Sequence, residues 1–458
     1  MKPLFAALPS GLALCSLLLF AGCGGESTAA QVSTHVSGQL TVRADVDSLA
    51  DHSGFEVLVA SNLDGDVDTL AVTITDVQGN FAMDVSAADR GIYPMMISRA
   101  GQTLTIEELV LADGDSTRVS ARFPLDGRPV RIVSQENAAW TAYKNTKAQY
   151  NRMVLTLVQS NPDYSEADMA GVVQQAASIY WGLNETFPET FGALVAAAES
   201  VVMLEGWQDS LAVSRAREIL DTHPSRVQIV RALRRSVARM EGQRGAVNFV
   251  RSYMTGEDEE DDAALLAEVV VAYMDSLQSA DAISAARDLQ ATYPESSWSR
   301  WAEGAIYEVE YLLPGLPAPE FSLIDVDGEV LDKQVLADQF YMLEFFTPTH
   351  PLFQEELGRR QALLNALDDN IFEAISISVD PDSAYNEALL DGRDFQGRFV
   401  FAPEGPESEV ATAYNVNVIP TRVLVDPNGL IVRKYVGAAL EELEADLAML
   451  LRALTSQQ

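Results

Sequence analysis

Sulfur is nearly missing from this chain. Its 458 residues include two cysteines, Cys15 and Cys23. Every residue after Cys23 lacks a thiol, so neither a disulfide nor thiolate chemistry is open to the rest of the sequence. Positive charge is scarce too. Asp and Glu number 67 against 31 Lys and Arg, a formal net charge of −36. So acidic a chain avoids nucleic acid and is repelled by anionic membrane surfaces. Lysine occurs only at Lys2, Lys144, Lys147, Lys333 and Lys434, which leaves 26 arginines. Acidic excess with little lysine suits a saline or GC-rich source, and equally a generic soluble acidic surface. Long apolar runs are absent: Leu12 to Phe20 is too short for a spanning helix, which needs about 20 apolar residues. What remains, 48% hydrophobic and 21% charged, is an ordinary globular balance, and the length suggests two to four domains.

Residues 1–22 read as a leader outside the fold, with Lys2 as its positive start and Leu12 to Phe20 as its apolar stretch. Phe20-Ala21-Gly22-Cys23 resembles a bacterial lipobox, followed by a small-residue tether over 23–34. That resemblance implies cleavage before Cys23, lipidation of Cys23, and a membrane-anchored protein of the bacterial cell envelope facing the periplasm or the exterior. Without such processing, the stretch is a plain secretory signal.

Residues 35–126 predict an all-β domain. Short alternating runs recur at Gln39–Arg43, Glu56–Ala60, Thr69–Thr75, Phe81–Val85, Tyr93–Ser98, Glu108–Leu111 and Thr117–Phe123, separated by turn residues. Many short strands at this spacing predict a β-sandwich. The segment resembles the β-domain that precedes thioredoxin-like domains in Bacteroidota lipoproteins, on Gly79-Asn80-Phe81, Gly91-Ile92-Tyr93 and Leu111-Ala112-Asp113-Gly114. The acidic turn at Asp64, Asp66 and Asp68 has calcium-type oxygen ligands but no spaced terminal Glu, and is read as a solvated turn.

Residues 127–313 switch to helical periodicity. Thr186-Phe187-Pro188, Thr222-His223-Pro224 and Thr292-Tyr293-Pro294 repeat a signature whose prolines lie 36 and then 70 residues apart. That is one and then two units near the 34-residue helical hairpin, and the pattern resembles tetratricopeptide repeats. The missing unit falls near Thr255 to Asp262, where the acidic run from Glu257 is expected to form a loop. Such an array binds a protein segment or spaces two domains apart.

Residues 314–458 carry the most specific pattern. Pro314 to Pro319 reads as a stiff linker, Tyr341 to Phe346 as a buried strand, and Pro351 to Leu367 as a helix. Further on come a β-rich run Phe372–Val379, then Val416-Asn417-Val418-Ile419-Pro420-Thr421, and an Asp426-Pro427-Asn428-Gly429 hairpin turn. In this order they resemble the thioredoxin superfamily, most closely the membrane-anchored thiol–disulfide oxidoreductases of the TlpA/ResA type. The resemblance implies an α/β thioredoxin-like fold, with Pro420 as the cis-proline and Ile419, Pro420 and Thr421 as its loop. It also places the Cys-x-x-Cys motif at His350, Pro351, Leu352 and Phe353, where both cysteines are absent. Thr347-Pro348-Thr349-His350 likewise resembles the peroxiredoxin Thr-Pro-x-Cys without its sulfur.

Thiol–disulfide exchange needs an attacking thiolate and a resolving thiol, and His350 and Phe353 supply neither. His350 has three other readings: a metal ligand, a general base at a helix N-terminus, or a polar filler of the motif slot. The remaining histidines, His35, His52 and His223, are scattered. The sequence therefore predicts a redox-inactive module for protein or peptide binding or scaffolding, with no catalytic residue, cofactor, metal or nucleic acid. Its expected groove is formed by Phe346, His350, Phe353 and Val418. The alternative is a thiol–disulfide oxidoreductase or peroxiredoxin-type enzyme.

Overall fold

The computed structural model describes residues 32–45, 51–62, 68–161, 163–367, 371–391 and 395–455. The expected leader, the lipidation site Cys23, and Asp64 and Asp66 of the acidic turn lie outside the described residues. Two compact units divide between Ser236 and Val237. The finer division at 126/127 and 313/314 remains an expectation.

The first unit begins with eight strands: β1 (Val32–Val42), β2 (Phe55–Ala60), β3 (Thr69–Ile74), β4 (Asn80–Ala87), β5 (Gly91–Arg99), β6 (Gln102–Leu111), β7 (Ser116–Phe123) and β8 (Arg131–Val133). They form two four-stranded sheets, ordered β4-β1-β7-β8 and β3-β2-β5-β6. One core serves both. Val36, Leu40, Phe81 and Val119 enter it from the first sheet, and Phe55, Val57, Met95, Ile97 and Leu109 from the second. These positions follow the alternation that sends every second side chain to one face. Gly38 is required where β1 meets β7, since a Cβ there would lie 1.8 Å from the Val119 carbonyl oxygen.

Helices follow: α1 (Gln135–Ser160), α2 (Glu166–Thr186), α3 (Phe191–Val202), α4 (Asp209–Ile219) and α5 (Arg226–Ser252), the last broken at Gly242. Asn137, in the first turn of α1, accepts from Val110 N at 2.9 Å and donates to Val110 O at 3.3 Å, fixing α1 to β6. The first two Thr-x-Pro signatures sit in the α2–α3 and α4–α5 turns.

The second unit continues with α6 (Glu259–Asp275), α7 (Ser279–Thr292) and α8 (Ser297–Tyr311), and the third Thr-x-Pro lies between α7 and α8. The acidic run is not a loop as expected. Asp258 caps α6, accepting from Asp261 N at 2.9 Å, and Glu259 to Asp262 form its first turn. The positive end of the helix dipole favours carboxylates there. Asp262 is itself buried and accepts from the N–H groups of Thr255 and Gly256.

The rest of the chain comprises β9 (Ser322–Ile324), β10 (Val330–Asp332), β11 (Phe340–Phe346), α9 (Pro351–Asn365), β12 (Phe372–Ser378), α10 (Ser383–Leu390), β13 (Arg398–Phe401), α11 (Glu409–Ala413), β14 (Thr421–Val425), β15 (Ile431–Val436) and α12 (Leu440–Thr455). A five-stranded sheet has the order β13-β12-β11-β14-β15, with β11, β12 and β13 parallel and β14 and β15 antiparallel. All seven residues of β11 are buried, as expected of a central strand covered on both faces. Leu343, Phe345, Ile375 and Val423 pack on one face, and Met342, Ala374 and Leu424 pack with Leu443 and Leu447 of α12 on the other. Pro314 to Pro319 is not a free linker. Gly315 N donates to Ile431 O at 2.8 Å, Ala318 N donates to Gly429 O at 2.9 Å, and Ala318 is buried. The segment thereby covers the start of an edge strand that would otherwise expose unpaired backbone.

Candidate functional site

The motif slot forms where β11 stops. His350 N donates to Thr347 O at 3.1 Å and closes a turn. His350 is then the N-cap of α9 without a side-chain cap bond, and Pro351 takes the first helical position, where a missing N–H costs nothing. His350 is partly exposed, while its Nδ1 is buried without a hydrogen-bond partner. Phe353 points the other way. Its ring stacks on Phe346 with centroids 4.1 Å apart, Phe399 meets Phe346 edge-on at 6.0 Å, and Phe346 and Phe353 are both fully buried.

This corrects the expected groove. Phe346 and Phe353 were to form an open wall with His350 and Val418, yet they lie inside an apolar cluster with Leu389 and Phe399, against which Ile419 also packs. Filling the slot with an aromatic ring removes more apolar surface from water than leaving it open. Val418 is 49% exposed and does not share a surface with the two rings.

Beneath the slot lies a charge cluster that the sequence reading missed. Glu344 of β11 is fully buried among apolar strand residues. It accepts from Arg360 Nε of α9 at 2.5 Å, from Arg422 Nε of β14 at 2.8 Å, and from Ser376 Oγ of β12 at 3.2 Å. Arg422 also donates to Glu356 at 2.7 Å, and the Arg360 guanidinium lies 4.5 Å from the centroid of the Phe395 ring. Two carboxylates thus meet two guanidiniums, the condition under which charges can stay buried. Burial pushes the Glu344 carboxyl up, but Arg360 and Arg422 outweigh it and hold it below the usual carboxylate range. For Glu356, burial wins over Arg422 and raises it. A lone Glu inside an apolar run was the available signal, because such a residue must find partners.

The loop before β14 is the other half of the site. Asn415 takes a left-handed φ of 48°, a conformation Asn tolerates better than most residues, so the turn forms without a glycine. The Ile419–Pro420 peptide is cis, Thr421 Oγ1 donates to Val418 O at 2.7 Å, and Pro420 O accepts from Gly437 N at 2.8 Å. Pro420 and Thr421 are buried. Among the described residues, the N–H groups of Asn417, Val418 and Ile419 donate to no protein acceptor.

Beside this loop opens a cleft of about 850 Å³ whose far wall is α8. Trp301 and Arg300 line it from α8, Val418 from the loop and Val436 from β15. Lys434 forms an ion pair with Glu308 at 2.7 Å, and Asn415 donates to Gly304 O at 3.1 Å and to Glu308 at 3.0 Å. Tyr307 adds a bond to Ala413 O at 3.1 Å. These bonds join α8 to the loop and to β15 and so set the walls of the cleft.

No family model matches the chain, and no curated protein matches it. Solved structures do match part of it. A thiol–disulfide oxidoreductase from Bacteroides fragilis is 24% identical over 29% of this chain and 98% of its own, with a TM-score of 0.26. The thioredoxin domain of a thiol–disulfide oxidoreductase from Bacteroides vulgatus is 20% identical over 30% and 98%, with a TM-score of 0.28. StoA from Bacillus subtilis is 20% identical over 29% and 98%, with a TM-score of 0.25. These matches span about three tenths of this chain. Identity this low does not speak to activity.

The structure brings Phe346, Phe353 and Ile419 together in one apolar cluster and leaves Val418 exposed. Among the described residues no cluster of three or more His, Cys, Asp or Glu side chains could hold a metal ion, and no helix is long and apolar enough to cross a membrane. Arg300 and Trp301 also escaped the sequence reading, and so did the bond from Asn415 to α8, because α8 meets the loop across more than 100 residues of chain.

Proposed function

We propose that this chain is an envelope lipoprotein whose thioredoxin-like region performs no thiol chemistry and binds extended polypeptide. On this reading the two four-stranded sheets form a β-sandwich, and the helices form hairpins of tetratricopeptide type leading to the binding region. Cys23 is the lipidation site.

The observation that carries the reading is the contrast between the two sides of the loop at Asn417 to Thr421. On one side the motif slot holds no sulfur and is sealed by the stacked Phe346 and Phe353 rings. On the other, unpaired backbone donors adjoin an open cleft. Capturing a strand-like segment needs main-chain donors and side-chain pockets and no sulfur. Exchange chemistry needs a thiolate, and no residue after Cys23 supplies one.

The test pairs two assays on one preparation of the full-length protein. Disulfide-reductase and peroxidase turnover should not exceed a protein-free control, while extended peptides should shift the amide signals of Asn417 to Thr421. Turnover that survives removal of contaminating thioredoxin supports the oxidoreductase alternative. Unmoved loop amides with every peptide refute the binding half.

A further inference from the structure

We infer that the cleft between α8 and the loop selects an extended segment of a partner polypeptide that carries a large apolar side chain next to a single acidic one. This rests on the polypeptide-binding reading and adds the chemical class of the ligand, set by a helix outside the thioredoxin-like sheet.

The loop offers unpaired backbone donors. Asn417 and Val418, which line the cleft, present N–H groups that no protein acceptor uses. The Thr421 hydroxyl is already spent on Val418 O. A ligand here must bring acceptors, as the carbonyl groups of an extended backbone do. Across the cleft, Arg300 is exposed and has no acidic partner among the described residues, although the chain carries 67 acidic residues. The other cation at the cleft, Lys434, is already paired with Glu308. Arg300 is therefore the guanidinium free to form a charge-assisted, two-pronged contact with a ligand carboxylate.

The apolar part follows from the remaining walls. Val418 and Val436 are each about half exposed, at 49% and 48%. Trp301 faces them from α8, its ring held edge-on to Trp298 at 5.8 Å. A tryptophan so braced is a rigid surface for an inserted side chain. Glu303 lines the cleft one turn beyond Arg300, about 4.5 Å along the helix at 1.5 Å per residue. It disfavours a second carboxylate, so the ligand carries one acidic residue rather than an acidic run.

Fluorescence anisotropy with the full-length protein tests this. The probes are two labelled, end-blocked seven-residue peptides of Ser and Thr, one with a central Phe-Glu pair and one with Phe-Lys. The wild type should bind the Phe-Glu peptide about fivefold or more tightly than the Phe-Lys peptide. Arg300→Glu should reverse that order, and Trp301→Ala should weaken both by about tenfold or more. Reversal of preference cannot arise from misfolding. If both peptides bind the wild type equally, or Arg300→Glu leaves the preference intact, the ligand class assigned here is wrong. If either peptide shifts the loop amides under those outcomes, polypeptide binding itself survives. If neither peptide binds or shifts them, the ligand class falls, and polypeptide binding falls with it when every other extended peptide also leaves the loop amides unmoved.

Discussion

Replacing Glu344 by Gln removes one charge from a sealed site and keeps its shape. In the wild type, Glu344 serves Arg360 at 2.5 Å and Arg422 at 2.8 Å, and none of the three side chains is more than 1% exposed. After the change Arg422 keeps the carboxylate of Glu356, but Arg360 keeps only neutral partners, among them Ser376, Gln361, the Gln396 carbonyl and the Phe395 ring. A buried guanidinium without its carboxylate costs about 3–5 kcal/mol. For a unit of about 220 residues, each kcal/mol moves Tm by about 2–4 °C, so the transition should fall by roughly 6–20 °C. Differential scanning calorimetry reads this directly. The pH dependence supplies a second check. A carboxyl held low by its partners contributes stability that is present above the unfolded value near 4.5 and is lost as pH falls through the folded value. Protonated Glu344 resembles Gln, so the gap between wild type and Glu344→Gln should be full at pH 7 and close on acidification below about 4.5. A variant within about 2 °C of wild type at pH 7, or a gap that widens in acid, would refute the role given to this cluster.

Phe353→Ala empties a site stacked at 4.1 Å and fully buried, and should cost about 3–5 kcal/mol in denaturant unfolding. Val418→Ala, at a half-exposed position, should stay within about 0.5 kcal/mol, and equal losses would show that the slot is not sealed. Cys23→Ser should move the protein from the membrane to the soluble fraction on cell fractionation, because stable anchoring takes two or more acyl chains; full retention would point to another anchor. Raising NaCl from 0.1 to 1 M should raise Tm, since the Debye length falls from about 10 to 3 Å and a charge of −36 repels itself. Salt also weakens surface pairs such as Arg359 with Glu441 and Glu444, so a falling Tm would mean that these pairs outweigh the repulsion.

Strands and helices of regular period were legible in the sequence. Each of the seven short runs between Gln39 and Phe123 falls largely within a strand, and Phe340 to Phe346 is buried throughout. These follow from local alternation and from β-rich apolar composition. The short strand β8 and the span from α10 to α11 went unread, because three to eight residues carry too little periodicity. Three misreadings had different causes. Glu257 to Asp262 looked like a solvated loop, since charge density alone does not reveal a helix dipole. Pro314 to Pro319 looked like a linker, since its partners Gly429 and Ile431 lie more than 110 residues away. Phe353 was assigned to an open wall because its place in the motif was legible while its rotation about α9 was not. The pairing of Glu344 with Arg360 and Arg422 needed three elements at once, and no spacing rule links them.

Amide hydrogen exchange at Asn417, Val418 and Ile419, followed residue by residue by NMR with and without a saturating extended peptide, tests polypeptide binding most directly. Free, these N–H groups have no protein acceptor and should exchange quickly. Bound, at least one of them should slow by about tenfold or more as it donates to a peptide carbonyl, while amides within β11 stay unchanged. Exchange at all three that is already slow without peptide, or that peptide leaves untouched, would contradict a binding loop.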